Sequence, residues 1–221
     1  MIDSSFDVFR ALGKLGYPKE LRDPYWWPNS GRFEVVAGAI LTQNTRWENV
    51  EMALTNLRTT TPIELDSIIE LELELLASLI RPSGFYNQKA IRLKALCSAI
   101  KEEFGEFEAF RESVSREWLL AQKGIGFESA DSILCYGCYR DEMVADKYTH
   151  KLLRSLGVEI DEYEEIKSFL QKGIDENITT VEKMLGYSDI AKTYALFHGM
   201  IVEYSKDNPK LKNIDKLKGE I

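Results

Sequence analysis

Asp146 is the residue best placed to do chemistry. It follows the turn Gly124-Ile125-Gly126 by twenty residues and stands directly before Lys147–Leu156, a segment of helical spacing. The stretch from Leu119 to Leu156 reads helix, tight hairpin, helix, loop, helix. The glycines of the turn can take φ > 0 or let another backbone approach closely. Phe127 to Tyr139 then resumes a helix, with Ala130, Ile133, Leu134 and Gly137 on one side. A hairpin of this form points successive backbone N–H groups outward, which makes an anion site suited to a phosphate. A carboxylate at the start of the next helix is held ionised beside such a site. There it can stabilise a developing cation or orient a water. The plainer reading is that Asp146 only caps its helix.

Three other groups have chemical interest. The loop Asp23–Gly31 holds two prolines and three consecutive aromatics, Tyr25-Trp26-Trp27. These rings either plug the core or serve a surface purpose, because adjacent loop tryptophans are kept only when they are buried somewhere useful. Cys135 and Cys138 are helical neighbours, but no other Cys or His lies close in sequence to complete a zinc set, so they read as small buried side chains. His198 either faces a cleft or is buried with a hydrogen-bond partner.

These residues depend on the elements around them. Asp3–Leu15 is expected to be a helix, capped by Asp3 or Ser4 and stopped by Gly16. Phe33–Leu41 (FEVVAGAIL) is almost wholly apolar and reads as the central buried helix. Thr45 is expected to cap a helix over Trp47–Leu57. Thr61-Pro62-Ile63-Glu64 has the form of a capping box with proline at the first helical position. Short helices follow through Ile69 and over Glu72–Ile80. Tyr86–Phe104 is a long helix with Ile91, Ala95 and Ile100 as buried candidates. Asp161–Lys172 is a polar amphipathic helix, Thr179–Glu182 offers another N-terminus, and Asp189–Tyr204 is the last long helix. The lysine-rich tail from Lys206 is expected to fray. The fold class is all-α, with about eleven helices and no useful β-alternation.

The Leu119…Gly124-Ile125-Gly126…Ala130 pattern, followed by Ala145-Asp146, resembles the helix-hairpin-helix DNA glycosylases of the endonuclease III superfamily. Leu41-Thr42-Gln43-Asn44-Thr45 with Trp47, Asn49 and Val50, and Gly84-Phe85-Tyr86-Asn87-Gln88-Lys89-Ala90, also fit, in order, over about residues 25–160. One G-I-G would be weak; three ordered motifs are not. The aromatic loop Tyr25-Trp26-Trp27-Pro28 is most similar to the bacterial 3-methyladenine DNA glycosylase branch.

The resemblance implies a two-lobed fold with the active-site cleft between the lobes. One lobe would be residues 1–30 plus 141–221, the other 31–140. It implies Asp146 as the catalytic carboxylate and Gly124, Ile125 and Gly126 as the phosphate-binding hairpin. Gln43 and Phe85 would enter the base stack when a base is flipped out, although Gln43 also reads as a residue satisfying helix-end carbonyls and Phe85 as a core aromatic. Trp26, Trp27, Pro28 and Trp47 would line the base pocket. Lys147, Lys151 and Arg154 would meet phosphates or form a solvated face. Family members that also nick the strand carry a lysine where this chain has Glu128, so the implied enzyme is monofunctional: a carboxylate cannot form the Schiff base. Met200 follows Phe197-His198-Gly199 where that branch would have lysine, which puts pocket polarity in doubt. The implied substrate is double-stranded DNA with an alkylated purine. The rivals are the same fold acting on another lesion, a non-catalytic helix-hairpin-helix DNA-binding protein, and an acidic helical scaffold.

No metal is expected at the catalytic site and no iron–sulfur cluster, since a cluster needs four cysteines close together and the chain has three, the last at Cys138. Family hairpins often hold a monovalent cation on backbone carbonyls, which the sequence leaves open. The 221 residues suffice for one large or two small domains. A composition 44% hydrophobic and 29% charged is ordinary for a soluble globular protein. No run approaches the ~18 apolar residues of a membrane span. The N-terminus has early acids and no apolar stretch of signal type, so a cytoplasmic monomer without membrane contact is expected. A net charge of −8 argues against a protein that coats DNA non-specifically.

Overall fold

The computed structural model describes residues 2–21, 23–210 and 214–221. Among them the chain is all-helical, with fourteen α-helices and no strand. Its contacts fall into two compact units: the chain up to Pro28 with Tyr139–Ile221, and Asn29–Cys138. Left-handed residues mark both passages from one unit to the other, Asn29 at φ 59° and Tyr139 at φ 57°. No described helix is long and apolar enough to cross a membrane.

The central unit is built on α2 (Phe33–Thr42), whose residues from Val35 to Leu41 are all buried. Around it lie α3 (Trp47–Thr60), α4 (Leu65–Glu70), α5 (Leu73–Leu79), α6 (Tyr86–Phe104), α7 (Phe107–Ser113), α8 (Arg116–Ala121) and α9 (Phe127–Ser132). The chain continues from α9 into one π-helical turn, Ile133–Gly137, so the helix expected through Tyr139 changes hydrogen-bond register halfway. Gly137 in that turn has the Val35 side chain at 3.6 Å from where a Cβ would stand. On α6 the buried stripe is Lys89, Ala90, Leu93, Leu96, Cys97 and Ile100. Ile100 is buried as expected, but Ile91 is 54% exposed and Ala95 is exposed too, the stripe passing instead through Ala90 and Leu96.

Two expected caps are corrected. Thr61 ends α3 rather than starting α4, which begins only at Leu65. Burying both Ile63 and Leu65 requires an extended approach that a helix from Pro62 would not give. Thr45 does not cap α3; its hydroxyl turns to the carbonyls of Ser83 and Gln43.

The other unit contains α1 (Ser5–Lys14), α10 (Lys147–Ser155), α11 (Tyr163–Asp175), α12 (Ile178–Leu185), α13 (Ile190–Asp207) and α14 (Ile214–Glu220). Ser4 caps α1, accepting from Phe6 N. The tail does not fray as expected: α14 buries Leu217 in this unit's core, and Lys14 bonds the Glu220 carbonyl. Residues 211–213 lie outside the described residues. Asn177 rather than Thr179 precedes α12.

Helices α1 and α11 cross closely. The fully buried Ser5 hydroxyl lies 2.9 Å from the carbonyls of both Phe169 and Leu170. A Cβ on Gly173 would stand 2.1 Å from Ser5 Oγ and 2.7 Å from the Phe6 backbone nitrogen. Alanine would improve helix propensity by about 1 kcal/mol, but overpacking against backbone costs about 1–3 kcal/mol. The collision should win. Gly173→Ala is therefore expected to lower stability by about 1–2 kcal/mol, read from the urea midpoint; a variant more stable than the parent would mean that the two helices part without cost.

Candidate active site

The segment leading to Asp146 is tethered by apolar burial. Met143, Val144 and Ala145 are 0%, 1% and 5% exposed, and Asp146 then stands as the N-cap of α10. Its Oδ1 accepts from Thr149 N at 2.9 Å and from Thr149 Oγ1 at 3.1 Å. Its Oδ2 lies 3.6 Å from His198 Nε2, an ion-pair distance. Asp146 is thus a cap, as the plainer reading held, and the capping fixes one oxygen while leaving the other for a different duty. Burial pushes its pKa up, but the neighbouring His198 and the two Thr149 bonds outweigh it and hold the carboxyl below the usual value. Beside it lies an open hollow of about 210 Å³ whose walls include Asp146, Lys147, His150 and Tyr163.

Trp26 belongs to the same cluster. Its ring stands edge-on to His198, centroids 5.7 Å apart, and its Nε1 donates to Glu203 Oε1 at 2.8 Å. A Cβ on Gly199 would come within 2.3 Å of the indole. The glycine of Phe197-His198-Gly199 is therefore what lets the ring lie against α13. Trp26 itself is left-handed at φ 68°, an uncommon conformation for a bulky residue. Trp27 is buried at 8% exposure and Pro28 is half-buried. Tyr25 bonds Asp189 through its hydroxyl and stacks 4.2 Å from Tyr139. Met200 is 2% exposed in the hydrophobic core of its unit.

In the central unit the hairpin between α8 and α9 is held from behind. Arg116 on α8 grips the fully buried Asp131 on α9 with two bonds, 2.7 and 3.1 Å, and lies over the Phe127 ring. Gly124 takes φ 89°, with the Arg92 side chain where a Cβ would be. Gly126 is extended instead, at φ −102° and ψ 179°, with open space at its Cβ position. Ile125 turns inward: its N–H donates to the Gln122 carbonyl and its side chain is 7% exposed. Its amide is therefore engaged within the turn. Glu128 is exposed on the first turn of α9.

Gln43 ends α2 and reaches the hairpin. Its Nε2 lies 2.9 Å from the Gly124 carbonyl and 3.0 Å from Ser129 Oγ, and its Oε1 accepts from Arg92 at 3.2 Å. Phe85 is not the core aromatic of the plainer reading: it is 73% exposed, in the left-handed region at φ 47°, on the tip before α6. A strained, solvent-facing aromatic points to a surface role. Trp47 opens α3, half-buried against the central core. Beneath the two loops lies Lys89, 2% exposed, bonded to both; burial, with Arg92 nearby, pulls its ammonium down to about 8. The sequence by itself gives Lys89 no role. The missed signal is its phase, on the stripe of Leu93, Leu96 and Ile100. Lys147 is exposed, whereas Lys151 bonds the Pro209 carbonyl and Arg154 pairs with Asp161. Those two cations are engaged on the protein's own groups.

Residues 37–176 match the family described as HhH-GPD superfamily base excision DNA repair protein. A Methanocaldococcus jannaschii protein named as a DNA repair glycosylase is 39% identical over 217 residues, 93% of this chain and 90% of its own. The crystal structure of Helicobacter pylori 3-methyladenine DNA glycosylase bound to 1,N6-ethenoadenine superposes with a TM-score of 0.89 at 45% identity, covering 93% of this chain and 98% of that one. A trapped endonuclease III–DNA covalent intermediate superposes at TM-score 0.70 with 15% identity over 93% of this chain and 88% of that one, a likeness of fold alone.

Because the folded pKa of Asp146 is depressed, its stabilising contribution is present above the unfolded carboxylate value and is lost as pH falls through the folded value. His198→Gln removes the neighbour that opposes the desolvation of Asp146. The Asp146 carboxyl, followed by carbon NMR, should then titrate at higher pH than in the parent, and acid unfolding should begin at higher pH. An unmoved titration would mean that His198 does not act on Asp146.

Proposed function

Because this chain belongs to the HhH-GPD superfamily of base excision DNA repair proteins, we propose that it is a monofunctional DNA glycosylase. In this reading it binds double-stranded DNA as a monomer, extrudes an alkylated purine such as 3-methyladenine, and hydrolyses its N-glycosidic bond. The observation that carries the proposal is Asp146: an ionised carboxylate, nearly buried, with Oδ1 tied to Thr149 and Oδ2 toward His198.

Cleavage of an N-glycosidic bond leaves oxocarbenium character on the sugar. A pre-oriented anion with little solvent around it stabilises that charge far better than a hydrated one. Asp146 supplies it and orients the attacking water. The base departs with the bonding electrons, water adds to the sugar carbon and gives its proton to the Asp146 carboxylate, and an abasic site remains. An N3-alkylated adenine is already cationic, so it leaves without much proton donation. Aromatic faces favour such a base by about 0.5–2 kcal/mol through cation–π attraction, the role assigned to Trp26, Trp27 and Trp47, with Pro28 completing the loop. Substrate choice is supported by the 45% identity to a 3-methyladenine glycosylase. Gln43 and Phe85 are assigned to the base stack, where an apolar wedge offsets part of the unstacking cost. Gly124 and Gly126 are assigned to phosphate.

The proposed chemistry draws on no cofactor. Cys97, Cys135 and Cys138 are all buried in the central unit, and burial pushes the Cys97 thiol up to about 12, far from thiolate character. The three fall short of a four-cysteine cluster set.

Duplexes carrying single defined lesions, incubated with the protein and then treated with alkali, test the reading. Strand breaks should appear with alkylated purines, and only after alkali. Asp146→Asn should slow release of a neutral damaged purine by roughly a hundredfold to a thousandfold while duplex affinity is kept; parental rates in that variant would reject the catalytic assignment. Glu128 offers no amine, so borohydride should trap no enzyme–DNA adduct. An adduct that persists after the N-terminal amine is blocked would mean that another lysine, such as Lys123, acts as a nucleophile.

A further inference from the structure

Lys89 is the most buried cation among the described residues, at 2% exposure, and its surroundings explain why a charge is there. Its Nζ donates to the Leu41 carbonyl at 2.8 Å, to Thr45 Oγ1 at 2.7 Å and to the Ser83 carbonyl at 2.7 Å. An ammonium has three protons, and all three are placed. Leu41 and Thr45 bracket Gln43. Ser83 is two residues before Phe85. Thr45 closes the triangle, since its own hydroxyl donates to the Ser83 carbonyl. One turn along α6, Arg92 bonds the Gln43 side chain. A single helix face therefore holds the backbone of both loops and the side chain of one.

We propose that Lys89 is a positioning residue for base extrusion, its ammonium locking the loop that carries Gln43 and the turn that carries Phe85 at a fixed spacing. The inference rests on the reading above that these two side chains enter the stack. The sharp turn needs such a tie. Gly84 and Phe85 are both left-handed, at φ 67° and 47°, and a non-glycine residue stays in that region only when its neighbours over-determine it. An apolar side chain at position 89 would suit the α6 stripe but would leave the Leu41 and Ser83 carbonyls buried without this donor. The ammonium satisfies acceptors from both loops at once. The three bonds of Lys89 all go to the two loops, so its effect should fall on flipping rather than on bond cleavage.

The test uses Lys89→Met, which keeps length and removes every donor, and Thr45→Val, which removes only the bridging hydroxyl and serves should the methionine variant fold poorly. Stopped-flow fluorescence of 2-aminopurine beside the lesion reports flipping, single-turnover assays report excision, and titration of undamaged duplex reports general binding. Lys89→Met should reduce the flipped population and excision in parallel by roughly tenfold to a hundredfold, with undamaged-duplex affinity within about twofold of the parent. Thr45→Val should show a smaller loss of the same kind. In a Gln43→Ala/Phe85→Ala background, Lys89→Met should add less than about a threefold further loss, because the residues act as one unit. Normal flipping in either folded variant, or the full loss repeated in the double-alanine background, would overturn the proposal. If the double-alanine protein itself flips like the parent, the stack-entry reading fails first and takes the proposal with it; if it is impaired while Lys89→Met is not, only the role of Lys89 is rejected.

Discussion

A buried carboxylate must be kept ionised, and much of the structure follows from how that is done. Desolvation alone would protonate Asp146. Three neighbours prevent it: the amide and hydroxyl of Thr149, one turn into α10, and His198 on α13. Each neighbour is fixed by something else. The Thr149 amide is an orphan donor of the helix start, the apolar run Met143–Ala145 anchors the approach, and α13 carries His198 inside its most buried stretch. Capping and catalysis are usually weighed as alternatives for such an Asp. Here the cap is the device by which the carboxylate is oriented, and a helix N-terminus also favours the negative charge.

The same logic governs Trp26. Its ring meets His198 at one edge, and its N–H is satisfied by Glu203. The backbone beneath it comes close only because position 199 is glycine. Its left-handed conformation is a cost of order 1–3 kcal/mol, tolerated because hydrogen bonding and packing on α13 over-determine it. Trp26 and Phe85 are both bulky and both left-handed. One is packed against a helix and the other is open to solvent. Strain of this kind is retained where a site is shaped, and the two residues lie in the two segments that the proposed reading gives to the base pocket and the base stack.

The net charge of −8 sets a different constraint. Non-specific affinity for DNA grows with the number of phosphates neutralised, and this chain has no general excess of cations to offer. Several of its basic groups are committed internally: Lys89 to loop carbonyls, Arg116 to Asp131, Lys167 to Glu142 and Lys94 to the Ile69 carbonyl. On the proposed reading, recognition falls to a few local contacts and to the fit of an extruded cationic base. A protein of this charge should bind undamaged duplex weakly and with a shallow dependence on salt, because few phosphates are neutralised.

What the sequence determined by itself was the class and the residues with chemical meaning. Apolar periodicity gave an all-helical chain, FEVVAGAIL gave its most buried helix, and Tyr86–Phe104 was delimited to the residue by Gly84 and Gly105. Gly124, Asp146 and the tryptophan loop stood out because their types and spacing are costly to keep without a purpose. Local signals failed where a residue's partner is distant in the chain. Thr45 and Thr61 looked like caps, but the one serves Lys89 and Ser83 and the other ends the preceding helix. Ile91 looked like core because helical period alone does not fix phase. Phe85 was ambiguous between core and surface until its turn was formed. Only the tertiary structure brought His198 to Asp146 across fifty-two positions and Lys89 to Leu41 across forty-eight. The physical reason is that propensity, capping and periodicity act over one or two helical turns, whereas the pairing of a buried charge is settled by whichever acceptors the packed helices deliver to it.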